Sequence, residues 1–547
     1  MFKIIASALF IFLGFNSLAA QIVFENHDSN IYQFLDKLAI KQVIQLNDQV
    51  KPLPRKLIAE KLLTAKEDQK NLTKLEKEEL QFYLREYGLE LRLIDDEITG
   101  IDRAIFSEDN SGRYRFFSYS SEYFTLAANP VFGVTIGKNK EREKNYFPLG
   151  LNAFGYLGNY FGYSFNVLNN RVEPGDQYDS RHRFTWQTGV NIDLADADRI
   201  EYREVRTVVT GSWEWGSMSL GKDFMSWGQA ESGTMVLSDK APSFPFIRLD
   251  IHPVKWFSFN YIHGWLNSNV VDSNYIYSTF RDNTKRFKYR QKFLAQHSVT
   301  FQPFNGFYFS FGESIIYSDR MEMVYLIPIM FFDLGDEYIS RHSNLAGDNT
   351  QFFFGINSEG NIKNTKLFGT FFADELTTND ITDPEKQYYK FGFTLGSKVV
   401  DLPVDNLTLA AEYTKIYPGV YQHFIPTQTF KSSDYVLGHW MGDNADQIYV
   451  AAGYSFLRGL DFELTYRYLR KGAEATGNTA YEKPIPEFLS GLDKYYTYYG
   501  VNVEYEVIHD LKIVADLLLV KRESELRSGD FTITNLDEMY IGFLYGL

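Results

Sequence analysis

The one basic cluster of this acidic chain lies in residues 281–292, which read Arg-Asp-Asn-Thr-Lys-Arg-Phe-Lys-Tyr-Arg-Gln-Lys. Arg281, Lys285, Arg286 and Lys288 supply guanidinium and ammonium donors, while the chain as a whole has a formal net charge of −15. Such donors bind carboxylates and phosphates, so the cluster predicts a capture site for an acidic polymer. Contact with membrane phosphates, or a solvated loop, would explain the same charges.

Aromatic residues in the segments between predicted strands form a second set of candidates. They are Trp186, Trp227, Tyr417, Tyr421, Trp440 and Tyr481. A flat aromatic face suits the apolar C–H face of a sugar ring, while neighbouring carboxylates and amides orient the hydroxyls. Packing within a loop is the alternative for each of them, and an interfacial aromatic girdle is the alternative for Trp227.

Catalytic chemistry has little support in the residue pattern. His297 and Glu313 fall on neighbouring predicted strands and could form an acid–base pair, but no nucleophile in a defined motif lies beside them, so a structural hydrogen bond is the favoured interpretation. There is no nucleophile elbow, no metal-ligand cluster and no cysteine. The sequence therefore predicts no catalytic residue, no metal site and no cofactor.

The composition is typical of an exported protein that is rich in β-strands. The chain contains 38 Tyr and 47 Phe, and aromatic residues favour strands and membrane-interface girdles. An acidic chain without a basic stripe argues against a nucleic-acid partner. Lys3, the apolar run at 4–15 and the small residues up to Ala20 predict a signal peptide over 1–20. A membrane anchor is the alternative, but the run is shorter than the ~20 residues that a spanning helix needs.

Residues 21–100 show helical periodicity and predict a small helical domain. Apolar residues repeat at three to four from Asn30 to Leu46, and a second helix is expected from Pro54 to Lys66. A third helix is expected from Thr73, whose spacing to Glu76 predicts a capping box. Residues 101–129 are assigned as a lead-in segment.

From Pro130 the period changes to two, and we expect eighteen strands that form an antiparallel outer-membrane β-barrel over 130–547. The predicted strands are 130–137, 147–157, 160–169, 201–212, 217–223, 244–252, 255–265, 291–303, 307–317, 349–357, 364–374, 387–399, 405–416, 446–456, 459–470, 495–507, 510–522 and 536–547. Connections after even strands are short and those after odd strands are long. A barrel with short periplasmic turns and long outer loops predicts this alternation, whereas a soluble sandwich does not.

The sequence makes specific predictions for one further segment and for one set of charged residues. Residues 321–332 are too apolar for a solvated loop and are expected to fold into the barrel mouth and narrow it. Inward-facing charges are expected to form a lumenal network. They are Asp461, Glu463, Glu504, Glu506, Asp516, Arg467 and Lys512.

The chain resembles the Wzi-like capsule assembly proteins of Bacteroidetes-type bacteria. The residues that carry the resemblance are 32–39, 51–59, 220–228, 237–238, 241–244, 293–297, 313–314, 325–328 and 348–349. The resemblance implies a barrel of about eighteen strands with a periplasmic helical bundle. It also implies a non-enzymatic, lectin-like protein that holds capsular polysaccharide or exopolysaccharide at the cell surface.

The expected partners are therefore capsular or extracellular polysaccharide, outer-membrane lipid with lipopolysaccharide, and periplasmic export components. A diffusion porin or specific transporter is the alternative, because a ring of about eighteen strands leaves room for a wide lumen. An outer-membrane hydrolase is the third hypothesis, and it lacks a recognisable motif.

Overall fold

Residues with two-residue alternation form eighteen antiparallel strands, and pairing of the last strand with the first closes the barrel. This computed structural model describes residues 21–95, 97–98, 100–139, 142–174, 185–195, 199–280, 283–342, 349–376, 389–477, 479–481 and 486–546; the predicted signal peptide and Arg281 lie outside them. The strands are β1 Phe124–Asn139, β2 Arg142–Leu157, β3 Phe161–Glu173, β4 Ile200–Trp213, β5 Gly216–Asp223, β6 Phe244–Val254, β7 Phe257–Ser278, β8 Lys285–Phe304, β9 Phe307–Ser318, β10 Asn349–Ile362, β11 Thr365–Leu376, β12 Tyr389–Val400, β13 Leu407–Ile416, β14 Ala445–Leu457, β15 Leu460–Lys471, β16 Lys494–Ile508, β17 Leu511–Glu525 and β18 Glu538–Tyr545.

Every predicted strand overlaps one of these eighteen, but the predicted start of the first strand at Pro130 is wrong. Strand β1 begins at Phe124 and runs through Pro130. On one side, β1 pairs with β18 from Phe132 onward and with an additional strand, Tyr114–Ser120, up to Ala128. The proline lies in the step between these partners, where a missing backbone N–H breaks no ladder hydrogen bond.

Residues of the lead-in segment form a two-stranded ribbon beside the ring. Asp102–Glu108 pairs with Tyr114–Ser120, which then pairs with the first residues of β1. This strand therefore extends the sheet without adding a nineteenth member to the closed ring.

The predicted alternation of connections is confirmed at one end of the barrel, which we call the short-turn end. Two residues join β4 to β5, β8 to β9, β14 to β15 and β16 to β17. Gly306, Gly459 and Asp510 take positive φ in three of these turns, the conformation that tight hairpin turns require. The opposite, long-loop end carries the connections 174–199, 224–243, 319–348 and 417–444.

The helical domain, residues 21–95, has its own apolar core. Its helices are α1 Ile31–Ile40, α2 Arg55–Glu67, α3 Lys74–Glu86 and α4 Gly88–Ile94. Thr73 and Glu76 make the predicted capping box at the start of α3, whereas the first helix ends six residues before the predicted Leu46. Leu35, Leu38, Ile58, Leu62 and Leu80 are fully buried between the helices. Within the described residues, no helix is long and apolar enough to cross a membrane.

This helical domain sits in the short-turn end of the barrel. Glu79 accepts a hydrogen bond from Gly459 N at 2.7 Å, and the Phe82 ring stacks on His509 at 3.7 Å between centroids. Buried ion pairs add to these contacts: Asp36 bonds Lys366 at 2.7 Å and Lys398 at 2.9 Å. Hydrogen bonds, ion pairs and this ring contact therefore hold the helical domain against the barrel wall.

Candidate glycan-binding site

The alternation of each strand separates a lumenal face from an outward face. Trp227, inside the ring, donates from Nε1 to Ser298 Oγ at 3.1 Å, which identifies Ser298 and the even-numbered residues of β8 as lumenal. Outward side chains elsewhere in the ring are apolar and exposed, such as Leu149, Leu220, Ile356 and Leu395. Trp215 and Trp256 are exposed near the short turns, where a barrel has an interfacial aromatic girdle.

Two long connections, 224–243 and 417–444, fold into the lumen, and together we call them the outer plug. Their apolar side chains pack against each other and against lumenal residues of the wall. The core includes Met225, Trp227, Met235, Val236, Leu237, Val420, Tyr421, Phe430, Leu437, Trp440, Phe353, Phe372 and Ile416. The outer plug therefore fills the lumen with a packed apolar core.

Three predicted glycan-binding residues lie inside this core. Trp227, Tyr421 and Trp440 are 2%, 0% and 3% exposed. The girdle interpretation of Trp227 is wrong, because its ring lies inside the barrel. Trp440 Nε1 donates to Ser232 O at 2.8 Å, and Tyr421 Oη donates to Met235 O at 2.7 Å. In this conformation Tyr421 and Trp440 join the two plug segments, Trp227 joins the first segment to the barrel wall, and none of the three presents an open ring face.

Trp186 belongs to a cluster around the guanidinium of Arg467, which projects into the lumen from β15. The guanidinium carbon lies 4.7 Å from the Trp186 ring centroid, 5.1 Å from that of Trp440 and 5.6 Å from that of Tyr498. A cation among aromatic faces is favourable when it is shielded from water. This cluster fixes the segment that contains Trp186 and the outer plug to the barrel wall.

Electrostatics inside the outer plug favour neutral groups. Burial lowers the pKa of His439 to about 3, with Arg467 adding to the effect. Burial also lowers the pKa of His423 to about 4, and Lys390 and Lys292 add to it. Burial lowers the pKa of Lys240 to about 7. The packed plug therefore disfavours protonation of these side chains.

Tyr417 and Tyr481 lie closer to the rim of the long-loop end, each beside a cation. Lys415 Nζ is 4.6 Å from the Tyr417 ring centroid, and Lys390 Nζ is 3.3 Å from that of Tyr481. The Phe424 ring, which is half exposed, lies 5.2 Å from Tyr481. These residues form a small aromatic and cationic rim at the barrel mouth.

The predicted basic loop is a strand instead. Strands β7 and β8 are 22 and 20 residues long, and their far ends, described for residues 268–280 and 283–292, form an extended hairpin beyond the neighbouring strands. Lys285, Arg286 and Lys288 are exposed on this hairpin. The loop prediction failed because a hairpin with water on both faces needs no apolar alternation.

Exposed aromatic rings accompany the basic residues on the extended hairpin. Tyr275, Tyr277, Phe287 and Tyr289 are exposed there, and Lys288 Nζ lies 4.9 Å from the Tyr275 ring centroid. Sequence reasoning found the cations but missed the rings beside them. The signal was present as Tyr275-Ile276-Tyr277 and Phe287-Lys288-Tyr289.

Residues 321–332 do not enter the barrel mouth, so that expectation is wrong. They pack on the outward face of β7–β9, where Tyr325 and Phe332 are fully buried. His297 and Glu313 are register partners on β8 and β9, as predicted, and their side chains lie 3.6 Å apart under this segment. Within the described residues, no cluster of His, Asp or Glu could hold a metal ion.

A closed eighteen-strand ring with an apolar outward face and a filled lumen defines an outer-membrane β-barrel. Residues 140–318 match the family model described as capsule assembly protein Wzi, so this part of the chain is similar to that family. No curated protein matches the chain significantly.

The fold is shared by a solved structure. Wzi of Escherichia coli, described as an outer membrane protein involved in group 1 capsule assembly and a carbohydrate-binding β-barrel, matches with a TM-score of 0.56 at 11% identity. That match covers 96% of this chain and 100% of the other. OccK3 of Pseudomonas aeruginosa matches with a TM-score of 0.41 at 12% identity, over 77% of this chain and 95% of that one.

Proposed function

We propose that this protein is a non-enzymatic, lectin-like protein that attaches capsular or extracellular polysaccharide to the cell surface. The helical domain then lies in the periplasm, at the short-turn end. The observation that carries the proposal is the extended hairpin, which displays Lys285, Arg286 and Lys288 beside exposed aromatic rings. The likeness to a carbohydrate-binding barrel supports the same conclusion.

The length of the hairpin suits contact with a polymer outside the membrane. A barrel strand needs only ~9–11 residues to cross the bilayer, so about half of β7 projects beyond it. At ~3.3 Å per residue and a tilt of ~40°, this half reaches about 30 Å from the membrane. Cations at that distance from the membrane bind uronate or phosphate groups of a polysaccharide, while the aromatic rings pack against the apolar faces of sugars.

The filled lumen supports attachment rather than transport. The helical domain occupies the short-turn end and the outer plug occupies the other, so a diffusing solute would have to displace packed side chains. We expect no stable channel in planar bilayers. A steady conductance of the unmodified protein would favour the porin alternative.

The state of His297 and Glu313 supports a role without catalysis. Both side chains are covered, and Glu313 accepts a hydrogen bond from Phe332 N. No serine lies on the outward face beside them, where strands β7–β9 present Phe259, Tyr261, Phe293, Ala295 and Ile315. Purified protein should release no product from polysaccharide or lipid.

Charge reversal on the extended hairpin tests the binding surface directly. The variant Lys285→Glu, Arg286→Glu, Lys288→Glu in detergent should lose most of its affinity for alginate, a polyuronate, because attraction becomes repulsion. Binding of the unmodified protein should weaken with added salt. The matched control reverses Lys66, Lys70 and Lys74, which are exposed on the helical domain.

Equal alginate affinity in the hairpin variant and the control would reject the hairpin as the binding surface. In cells, deletion of the gene should shift polysaccharide from the cell-bound to the shed fraction without changing the total. An unchanged ratio would reject attachment itself.

A further inference from the structure

The segment 321–339, which we call the strap, connects β9 to β10 but lies outside the ring. We infer that the strap is a membrane-embedded element whose outer face contacts acyl chains of the outer leaflet. This inference rests on the outward face of β7–β9 and does not depend on polysaccharide attachment.

Strand parity places the strap on the outside. Because Ser298 is lumenal, its neighbours His297 and Val299 point outward. Register pairing then places Tyr261 on β7 and Glu313 on β9 on the same outward face. The lumenal face of these strands carries Ile262, Leu294 and Ile316, which pack in the lumenal core.

The strap covers outward side chains that would otherwise face the bilayer. Phe293, Ile315 and Tyr317 are at most 3% exposed, whereas the outward Ile356 and Leu395 are 46% and 55% exposed. The strap inserts two rings into this surface. Tyr325 lies 4.6 Å from Tyr317 and Phe332 lies 4.6 Å from His297, between ring centroids.

Beneath the strap are polar groups that hydrocarbon would not tolerate. His263 Nε2 and Tyr317 Oη are 2.6 Å apart, and His297 is 3.6 Å from Glu313. The strap supplies partners of its own: Tyr325 O accepts from Tyr261 Oη at 2.7 Å, and Phe332 N donates to Glu313. A charged or unpaired polar group on the lipid face is unfavourable, so covering these groups is favourable.

The strap then presents a new apolar surface. Met323, Ile329, Phe331, Leu334 and Tyr338 are 72%, 77%, 56%, 59% and 64% exposed. A patch of this kind marks contact with a membrane or a partner. Lipid is the occupant that fits, because the patch continues the exposed apolar belt of Phe309 on β9 and of Phe354 and Ile356 on β10.

Depth and charge agree with an outer-leaflet position. Seven residues separate His297 from the end of β8, which is about 18 Å along the barrel axis and lies in the outer half of a ~25 Å apolar band. Helix α5, Phe332–His342, carries Asp333, Asp336 and Glu337 among its apolar residues. This amphipathic pattern is typical of a helix that lies at the boundary between hydrocarbon and headgroups.

Site-directed spin labelling tests the inference, and the chain contains no cysteine that would interfere. Ile329→Cys is labelled with a nitroxide in proteoliposomes, and its accessibility to oxygen and to a water-soluble nickel chelate is measured. Ile356→Cys is the control for the lipid-facing belt, and Tyr277→Cys is the control for water. Both control positions are exposed, so the label should not disturb folding.

We expect the Ile329 label to match Ile356, with high accessibility to oxygen and low accessibility to nickel. A match to Tyr277 would overturn the inference, because the strap would then lie in water. Low accessibility to both reagents would also overturn it, since a protein partner, such as a second copy of the chain, would then cover the strap. Leu334→Cys repeats the measurement one turn into α5.

Discussion

The two ends of the barrel lumen are filled by different chemistry. At the short-turn end, buried ion pairs hold the helical domain, such as Asp36 with Lys366 and Lys398. At the long-loop end, the outer plug is an apolar core around Tyr421 and Trp440. The helical domain has its own core before it docks, so directed charges can set its orientation. The plug segments have no core of their own and gain one only by packing in the lumen.

The helical domain and the outer plug contact each other inside the barrel. Val50 of the helical domain pairs with Trp227 of the outer plug, and Gly228 N donates to Gln49 O at 2.9 Å. Four predictions test how far the two ends behave independently, and they run from the largest expected effect to the smallest.

Asp36→Asn should loosen the short-turn end most. Burial alone would raise the pKa of Asp36, but Lys366 and Lys398 lower it well below its ordinary value. Removing this carboxylate leaves Lys366 with Glu359 at 3.5 Å and Lys398 with Glu231 at 3.0 Å as remaining partners, so we expect a cost of about 3 kcal/mol, the low end for a broken buried ion pair. Limited proteolysis of α1–α4 should accelerate, whereas the exposed Asp68→Asn should behave like the unmodified protein. Equal cleavage rates in the two variants would show that charge does not hold the domain.

Acidification should loosen the outer plug more than the helical domain. Because the packed plug lowers the pKa of His423 and His439 below the unfolded value of about 6.5, the opened plug binds more protons. The histidine contribution to plug stability is therefore full above about pH 6.5 and falls towards pH 4, by about 2 kcal/mol per histidine at pH 5.

Hydrogen exchange at pH 7.5 and pH 5, corrected for intrinsic rates, measures this loss in 417–444. His423→Gln with His439→Gln should remove the histidine contribution to this loss. Burial also lowers the pKa of His509 at the short-turn end, so we expect a smaller loosening there. A larger increase of hydrogen exchange in α1 than in 417–444 on acidification would show that the short-turn end is the more pH-sensitive one, which would contradict the prediction.

Trp440→Phe tests the apolar core of the outer plug at the long-loop end. The variant loses the hydrogen bond from Nε1 to Ser232 O and part of the ring volume, together about 2 kcal/mol. Faster hydrogen exchange in 229–237 is the expected result. Trp215→Phe, at an exposed position in a short turn, is the control and should change little. An effect confined to the helical domain would contradict independent packing of the plug.

Thr73→Ala should produce the smallest effect. Thr73 Oγ1 accepts from Glu76 N at 3.2 Å in the capping box of α3, and loss of such a cap costs about 1 kcal/mol. Amide exchange in the first turn of α3 should rise while the outer plug stays unchanged. Thr64→Ala, at an exposed position within α2, is the matched control. Increased exchange in 417–444 would show that the two ends are coupled.

The sequence by itself determined the ring of strands, because side-chain alternation and turn residues are local properties. It also determined the capping box at Thr73, the pairing of His297 with Glu313 and the basic cluster at Lys285, Arg286 and Lys288. Side-chain periodicity does not mark strands that have water on both faces, so the sequence predicts a loop where the structure has the extended hairpin.

Only the tertiary structure decided where the apolar connections pack. Residues 321–332 are too apolar for water, and both the barrel mouth and its outward face would satisfy that requirement. The structure places this segment on the outward face, where it forms hydrogen bonds with Tyr261 and Glu313 and packs against His297. The residue type of Trp227 suits a sugar site or a girdle, and that of Trp440 suits a sugar site or loop packing. Only the packing of distant segments in the lumen places both rings in the core.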